Sequence, residues 1–174
     1  MSEASGDGTG PGRPRRRRAP RPEPTPAQRA LGLLVRREHS RQELSRKLCA
    51  KGVARDEARL AVDRLTQAGW QSDSRFAENL VRSRAAQGQG PLRIRAELAT
   101  HGLDGEAIRQ AFAGFEDSWD RLAFDLVQRR FGAGVAADRA LQRKAGEFLL
   151  RRGFDLDQMR RATRSSAFDD CFDG

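Results

Sequence analysis

The chain of 174 residues is 37% hydrophobic and 6% aromatic, which disfavours one thick core and favours several small units that each need few apolar residues. Its 33 basic residues outnumber its 24 acidic ones, for a net charge of +9, and nearly all are arginine, whose planar guanidinium suits an anionic partner. Two cysteines exclude a disulfide framework, and no apolar run is long enough to span a membrane, so we expect a cytoplasmic protein.

Residues 1–24 are rich in glycine, proline and small polar residues, with a run of four arginines at 15–18. Nothing in this segment can bury a core, so we predict a disordered leader. The arginines could add non-specific attraction to DNA, or they could belong to a solvated segment with no role. Glycines alternate at positions 6, 8 and 10, but a nucleotide-binding loop would also need a preceding strand and a following helix.

Residues 25–71 are predicted to form a three-helix unit. Thr25 caps the first helix, which is expected to run to about Glu38. The second helix opens with a predicted capping box, in which the Ser40 hydroxyl accepts a hydrogen bond from the Glu43 amide and the Glu43 carboxylate reaches back. A third helix, closed by a glycine, completes the unit.

Residues 72–116 are predicted to form a second unit of the same kind. Its first helix stops at the glycine-containing loop 88–90, where the chain must turn. Pro91 then takes the first position of the next helix, which its fixed φ favours. Asp104 is expected to cap the last helix of the unit.

Residues 117–164 are predicted to form the third unit, with a looser stretch at 132–137 after its first helix. Asp155 and Gln158 have the spacing of a capping box at the start of the ninth helix. Residues 165–174 are predicted to be an acidic, frayed tail. No alternating strand pattern occurs in the sequence, so the predicted fold class is all-α.

Three copies of one pattern lie 50 and then 51 residues apart. Two apolar residues four apart share a helix face, a glycine suits the left-handed end of that helix, and two further apolar residues lead into the next helix. The copies are Leu44, Leu48, Gly52, Val53 and Ala58; Ile94, Leu98, Gly102, Leu103 and Ile108; and Ala145, Leu149, Gly153, Phe154 and Met159. This period predicts three tandem three-helix repeats in an elongated, curved stack.

Several stretches of the chain resemble one family, the bacterial RecX regulatory proteins. The likeness covers roughly residues 27–163, and it is carried by 37–44 in the first unit, 81–84 and 88–95 in the second, and 148–154 in the third. The motif of the second unit is quite specific. The resemblance implies the same three-repeat architecture that the period predicts.

The resemblance also implies a function. RecX proteins are small, non-enzymatic modulators of the RecA recombinase, and they bind along the groove of the RecA filament on single-stranded DNA. They typically block filament extension or promote disassembly, so that ATP hydrolysis, strand exchange and LexA cleavage fall. For this chain it implies a monomer that modulates recombination, DNA repair and the SOS response, with no catalytic residue, cofactor or metal.

Seven basic residues are candidates for contact with the partner or with DNA. Each could instead have an ordinary structural role. Arg93 could pair with Glu97 four residues on, and Arg84 could pack its aliphatic stem over the edge of the core. Basic residues late in a helix also interact favourably with the helix dipole. The candidates are Arg82, Arg84, Arg93 and Arg95 around the 88–90 loop, and Lys144, Arg151 and Arg152 in the third unit.

The sequence gives no support to catalysis, and it leaves two alternative functions open. His39 and His101 are too far apart in sequence to suggest a metal pair, and no phosphate-binding loop or nucleophile motif occurs. One rival is a helix-turn-helix protein that binds DNA without RecA, although three equivalent basic units differ from one recognition helix. The other is a helical scaffold that binds protein alone, which would leave the positive charge unexplained.

Overall fold

The computed structural model of the protein describes residues 23–165. Within that range the chain is all α-helical apart from one short 3-10 helix, Ala133–Ala137, and it contains no strand. The predicted fold class is therefore confirmed, and nearly all of the predicted leader and tail lie outside the described residues. The helices are α1 (Pro26–Leu34), α2 (Arg41–Cys49), α3 (Arg55–Gln67), α4 (Asp73–Ala86), α5 (Pro91–Thr100), α6 (Gly105–Ala113), α7 (Trp119–Phe131), α8 (Arg139–Arg152) and α9 (Leu156–Arg164).

The helices form three repeats, α1–α3, α4–α6 and α7–α9, and each repeat has its own small core. Extensive helix–helix packing lies within the repeats and not between them. The apolar positions of the sequence pattern supply these cores: Leu44, Leu48, Ala58, Ile94, Leu98, Ala145, Leu149 and Phe154 are all buried. A chain with few apolar residues can fold this way because each core needs only a handful of them. None of the described helices is long and apolar enough to cross a membrane.

Two differences from the sequence predictions occur near the start of α2. Helix α1 ends at Leu34, four residues before the predicted Glu38. The Ser40 hydroxyl accepts from the Glu43 amide as predicted, but the second half of the capping box does not form. The Glu43 carboxylate is buried and instead receives two hydrogen bonds from Arg37. A buried carboxylate needs charged partners, and the chain leaves α1 early enough for Arg37 to supply one. The predicted box of Asp155 and Gln158, by contrast, forms completely.

The glycines of the repeated pattern adopt the left-handed backbone that their positions require. Gly52, Gly102 and Gly153 have φ values of +85°, +79° and +86° at the ends of α2, α5 and α8. Residues with a side chain are strained in this region, whereas glycine is not. The sequence prediction that these glycines end helices is therefore confirmed.

We expect Gly102→Val to destabilise the protein by about 1–2 kcal/mol, because a β-branched residue resists a left-handed backbone. The space around Gly102 is open enough for a Cβ atom, whose nearest contact would be Gln42 at 3.5 Å, so the strain is in the backbone. Thermal or urea unfolding measures the effect. Gly105→Val is the control, since Gly105 starts a helix without a positive φ. Equal losses in the two variants would contradict the assignment.

Candidate functional site

The second helices of the three repeats, α2, α5 and α8, meet end to end, and we call this arrangement the second-helix row. At the first joint, Ser40 Oγ at the start of α2 lies 3.0 Å from His101 Nδ1 at the end of α5. At the second joint, the Gly90 amide at the start of α5 donates to the Arg152 carbonyl of α8 at 2.7 Å. Ser40 and Gly90 are 50 residues apart, and His101 and Arg152 are 51 apart, so corresponding residues make both joints.

The first joint is reinforced by polar contacts around the buried side chain of Gln71. Its Nε2 atom donates to the His39 carbonyl at 3.2 Å and to Asp73 Oδ1 at 2.9 Å. The same Asp73 oxygen accepts the backbone amide of Arg41 at 2.9 Å. The start of α4 therefore holds the start of α2, which fixes the first repeat against the second. The ring of His101 also packs against Phe76, with ring centroids 4.7 Å apart.

A buried carboxylate lies beside this joint. Glu43 is contacted by Arg37 at 2.5 Å, by Lys47 at 3.3 Å and by His39 Nδ1 at 2.9 Å. Burial alone would raise the pKa of Glu43, but the hydrogen bonds from Arg37 and His39 outweigh it and lower the pKa to about 2. Burial also lowers the pKa of His39, so this ring is neutral at pH 7.

The second joint brings two backbones into direct contact. The Leu92 amide donates to the Gly153 carbonyl at 2.9 Å, beside the bond from Gly90 to Arg152. A Cβ atom on Gly90 would lie 2.3 Å from backbone atoms of Gly153 and Phe154, so no side chain fits there. The Arg152 guanidinium donates to the carbonyls of the 87–88 turn at 3.0 and 3.1 Å. Arg152, one of the seven candidates, is thus engaged within the joint.

An aromatic cluster also packs between the second and third repeats. Trp119, at the start of α7, stacks on Phe115 with ring centroids 4.5 Å apart and lies 5.6 Å from Phe112. The guanidinium of the candidate Arg95 lies over the Phe112 ring, 4.2 Å from its centroid. Such a stack holds the arginine in place while its edge stays available to a partner.

Among the other candidates of the second repeat, Arg84 is also engaged within the chain. It makes two hydrogen bonds to Glu97, at 2.8 and 2.6 Å, and these lower the pKa of Glu97. The Arg93–Glu97 pair that the spacing allowed is therefore replaced by a pair between α4 and α5. Arg93 remains exposed, beside an open groove of about 640 Å³ that runs along α5 to Thr100. Arg82 is exposed and donates to Asn79.

The third repeat presents its basic residues on α8. Lys144 is exposed, and Arg151 is exposed with a loose ion pair to Glu147 at 3.9 Å. Arg139 and Arg143 are exposed on the same helix, although the sequence analysis did not single them out. Their helical spacing, four residues apart and out of phase with the buried Ala145 and Leu149, was the signal that could have identified them.

The described residues thus divide the seven candidates into two groups. Arg84 and Arg152 connect parts of the chain to each other, whereas five are exposed on the surface: Arg82, Arg93, Arg95, Lys144 and Arg151. Arg93 and Lys144 occupy equivalent positions, 51 residues apart, on α5 and α8. Within residues 23–165 no three histidine, cysteine or acidic side chains are placed to hold a metal ion.

Comparisons with known proteins agree on one family. Models of the first, second and third three-helix domains of RecX match residues 28–65, 72–111 and 118–163. Regulatory protein RecX of Stenotrophomonas maltophilia (strain R551-3) is 61% identical over 137 residues, which cover 79% of this chain and 84% of that protein. Regulatory protein RecX of Xanthomonas axonopodis pv. citri (strain 306) is 60% identical, over 79% and 85% of the two chains.

The fold is also that of a solved structure. The crystal structure of RecX from Lactobacillus salivarius matches with a TM-score of 0.67 at 23% identity, over 79% of this chain and 91% of that one. At this identity the likeness supports the fold alone. It agrees with the three repeats described above.

The stability of the protein is expected to fall in acid because Glu43 must be protonated. Its pKa is about 2 in the folded chain against an ordinary 4.5, so its stabilisation is present above pH 4.5 and is lost as the pH falls toward 2. We expect the free energy of unfolding of the wild type to fall by about 2 kcal/mol more than that of Glu43→Gln across this pH range. This figure allows for solvent screening of the half-exposed Arg37. Urea unfolding at each pH measures this. As a control, Glu147→Gln changes an exposed carboxylate and should show the same pH dependence of stability as the wild type.

Gly90→Ala should force the second joint open, because the added methyl group would overlap backbone atoms of the third repeat. We expect a loss of about 1–3 kcal/mol, the usual cost of overpacking. Thermal unfolding would report the loss. Gly134→Ala is the matched control, since Gly134 has open space around it and no positive φ. Unchanged stability of Gly90→Ala would show that the backbones are not held this closely in solution.

Proposed function

The chain belongs to the RecX family of regulatory proteins, and we propose that it binds the RecA filament on single-stranded DNA and inhibits it. Inhibition would lower the ATPase, strand-exchange and coprotease activities of RecA, and thereby modulate recombination, DNA repair and the SOS response. In this proposal the protein acts without catalysis, as a cytoplasmic monomer. The observation that carries the proposal is the match of all three repeats to the RecX domains.

The second-helix row supports an extended mode of binding. Its three helices contain about 50 Å of α-helix in total, and they present an extended surface. The exposed Arg93, Arg95, Lys144 and Arg151 lie on two of these helices. A row of cations at this scale suits a polyanionic groove, where each contact with a phosphate or carboxylate adds a little affinity.

We propose that Arg93 and Arg95 contact the filament and that Arg82, Lys144 and Arg151 extend this contact. In this proposal Arg84 and Arg152 hold in position the helices that carry the exposed residues. Arg84 and Arg152 each tie a helix to a neighbouring segment, so their loss would move the exposed residues. The exposed cations make few close contacts with carboxylates, so they can pair with a partner at little cost.

We expect Arg93→Glu combined with Arg95→Glu to keep the helical fold and to weaken inhibition of RecA at least tenfold, because two attractive contacts become repulsive. The measurement is the RecA ATPase on circular single-stranded DNA, with this protein titrated far below the RecA concentration. Arg55→Glu combined with Arg64→Glu changes the charge equally on α3 and should keep wild-type inhibition. Unchanged inhibition by the folded α5 variant would reject the site.

The same titration distinguishes the proposed function from the rival one, DNA binding without RecA. A protein that binds DNA without RecA would bind bare single strands tightly, with an affinity that falls steeply as salt rises, and would leave the ATPase unchanged at doses too low to coat the DNA. A filament regulator would instead lower the ATPase at those doses and could also bind bare strands weakly. Bare-strand binding at physiological salt is therefore measured alongside.

A further inference from the structure

The outward face of α5 is an apolar stripe between two arginines. Leu92 is 54% exposed, and Ala96 and Ala99, four and seven residues later, are exposed on the same side of the helix. Arg93 lies along one edge of this stripe and Arg95 along the other. The small alanines let a partner backbone approach closely, and the two guanidinium groups favour carboxylates beside it. The stripe therefore suits a short segment in which apolar and acidic residues are interleaved.

The chain itself contains such a segment, just beyond the described residues. Positions 168–173 read Phe-Asp-Asp-Cys-Phe-Asp, with two aromatic residues, three carboxylates and no cation. We propose that this segment docks in cis on the outward face of α5, with its phenylalanines on the stripe of Leu92 and the alanines and its aspartates beside Arg93 and Arg95.

Contacts of α7 with α9 and with α6 connect the last turn of α9 to one edge of this face. Arg161, in the last turn of α9, pairs with Asp120 of α7 at 2.9 Å. The next residue along α7 toward its start, Trp119, lies against Phe112 at 5.6 Å, and Phe112 carries Arg95 at 4.2 Å. Side-chain contacts, joined by the single backbone step from Asp120 to Trp119, therefore connect the last turn of α9 to one edge of the stripe.

The reach of the segment is set by the number of residues that follow Ser165. Phe168 follows Ser165 by three residues and Phe172 by seven, and an extended chain of seven residues reaches about 23–25 Å. Because the segment is tethered, its effective concentration near α5 is about millimolar, so weak contacts suffice to populate the docked state. Exposed Arg–Asp pairs are screened by salt, so docking is expected to weaken as ionic strength rises.

Docking would regulate the face that we assign to the partner, and in this consequence the inference rests on the proposed function. The segment and the filament would compete for Arg93 and Arg95, so the free protein would be partly self-blocked. Neutralising the aspartates would then release the face and lower the dose needed for half-inhibition of RecA severalfold. The docking itself requires no RecA and can be tested without it.

The test uses the full chain with one nitroxide label on the segment. Cys49, which is exposed, and Cys171 are changed to serine, and Gly174→Cys receives the label on ¹⁵N-enriched protein. We expect the amide signals of Leu92 and Ala99 to lose at least half of their intensity relative to the reduced label. The signal of Leu60, exposed on the first repeat, should keep its intensity.

Two variants show whether the docking has the proposed chemistry. Arg93→Glu with Arg95→Glu should restore the α5 signals, and so should neutralising positions 169, 170 and 173 to asparagine. The α3 control, Arg55→Glu with Arg64→Glu, should leave the broadening in place. Full α5 intensity in the parent protein would overturn the proposal, and so would broadening that both α5 and segment variants preserve.

A mixed sample separates docking in cis from docking between copies. Labelled ¹⁴N protein is added to unlabelled ¹⁵N protein, and broadening of the α5 signals in that mixture would overturn the intramolecular assignment. The two proposals also fail separately. An unchanged RecA ATPase with clear broadening would reject the proposed function alone, whereas inhibition of RecA without broadening would reject the docking alone.

Discussion

The end-to-end contact between second helices is the constraint on which the rest of the structure depends. The residue that caps the start of one helix meets the residue that ends the equivalent helix of the next repeat, at Ser40 and His101 and again at Gly90 and Arg152. The negative end of one helix dipole therefore faces the positive end of the next. The same geometry recurs with different chemistry, a pair of side chains in one joint and a pair of backbones in the other.

Polar contacts supply much of the attachment between the repeats. Most apolar residues pack in the core of their own repeat, although Trp119 packs against the cores of both the second and the third repeat. Hydrogen bonds and ion pairs fix orientation better than they add stability, because most of their energy replaces bonds to water. The side chains of Gln71, Asp73 and Arg152 thus set the relative placement of repeats whose stability comes from their cores.

The arginines of this chain fall into two groups, those that bind oxygen atoms within the protein and those that are exposed on its surface. Arg37, Arg84 and Arg152 satisfy buried or half-buried oxygens inside the protein, where a planar group with five donors is hard to replace. Arg93 and Arg95 lie on the outer face of the middle helix and remain exposed. The internal arginines hold the helices that present the external ones, so the surface proposed to bind the partner depends on the internal framework.

The sequence by itself determined the repeats, the helix starts at Thr25 and Asp155, and the left-handed glycines, because these depend on residues within a few positions of one another. The seven basic candidates were also visible, but their roles were not. Only the tertiary structure decided that Arg84 binds Glu97, that Glu43 turns away from its capping box, and that Arg152 closes a joint. These outcomes join residues on different helices or in the turns between them, from 6 to 65 positions apart, and local periodicity carries no information on such pairs.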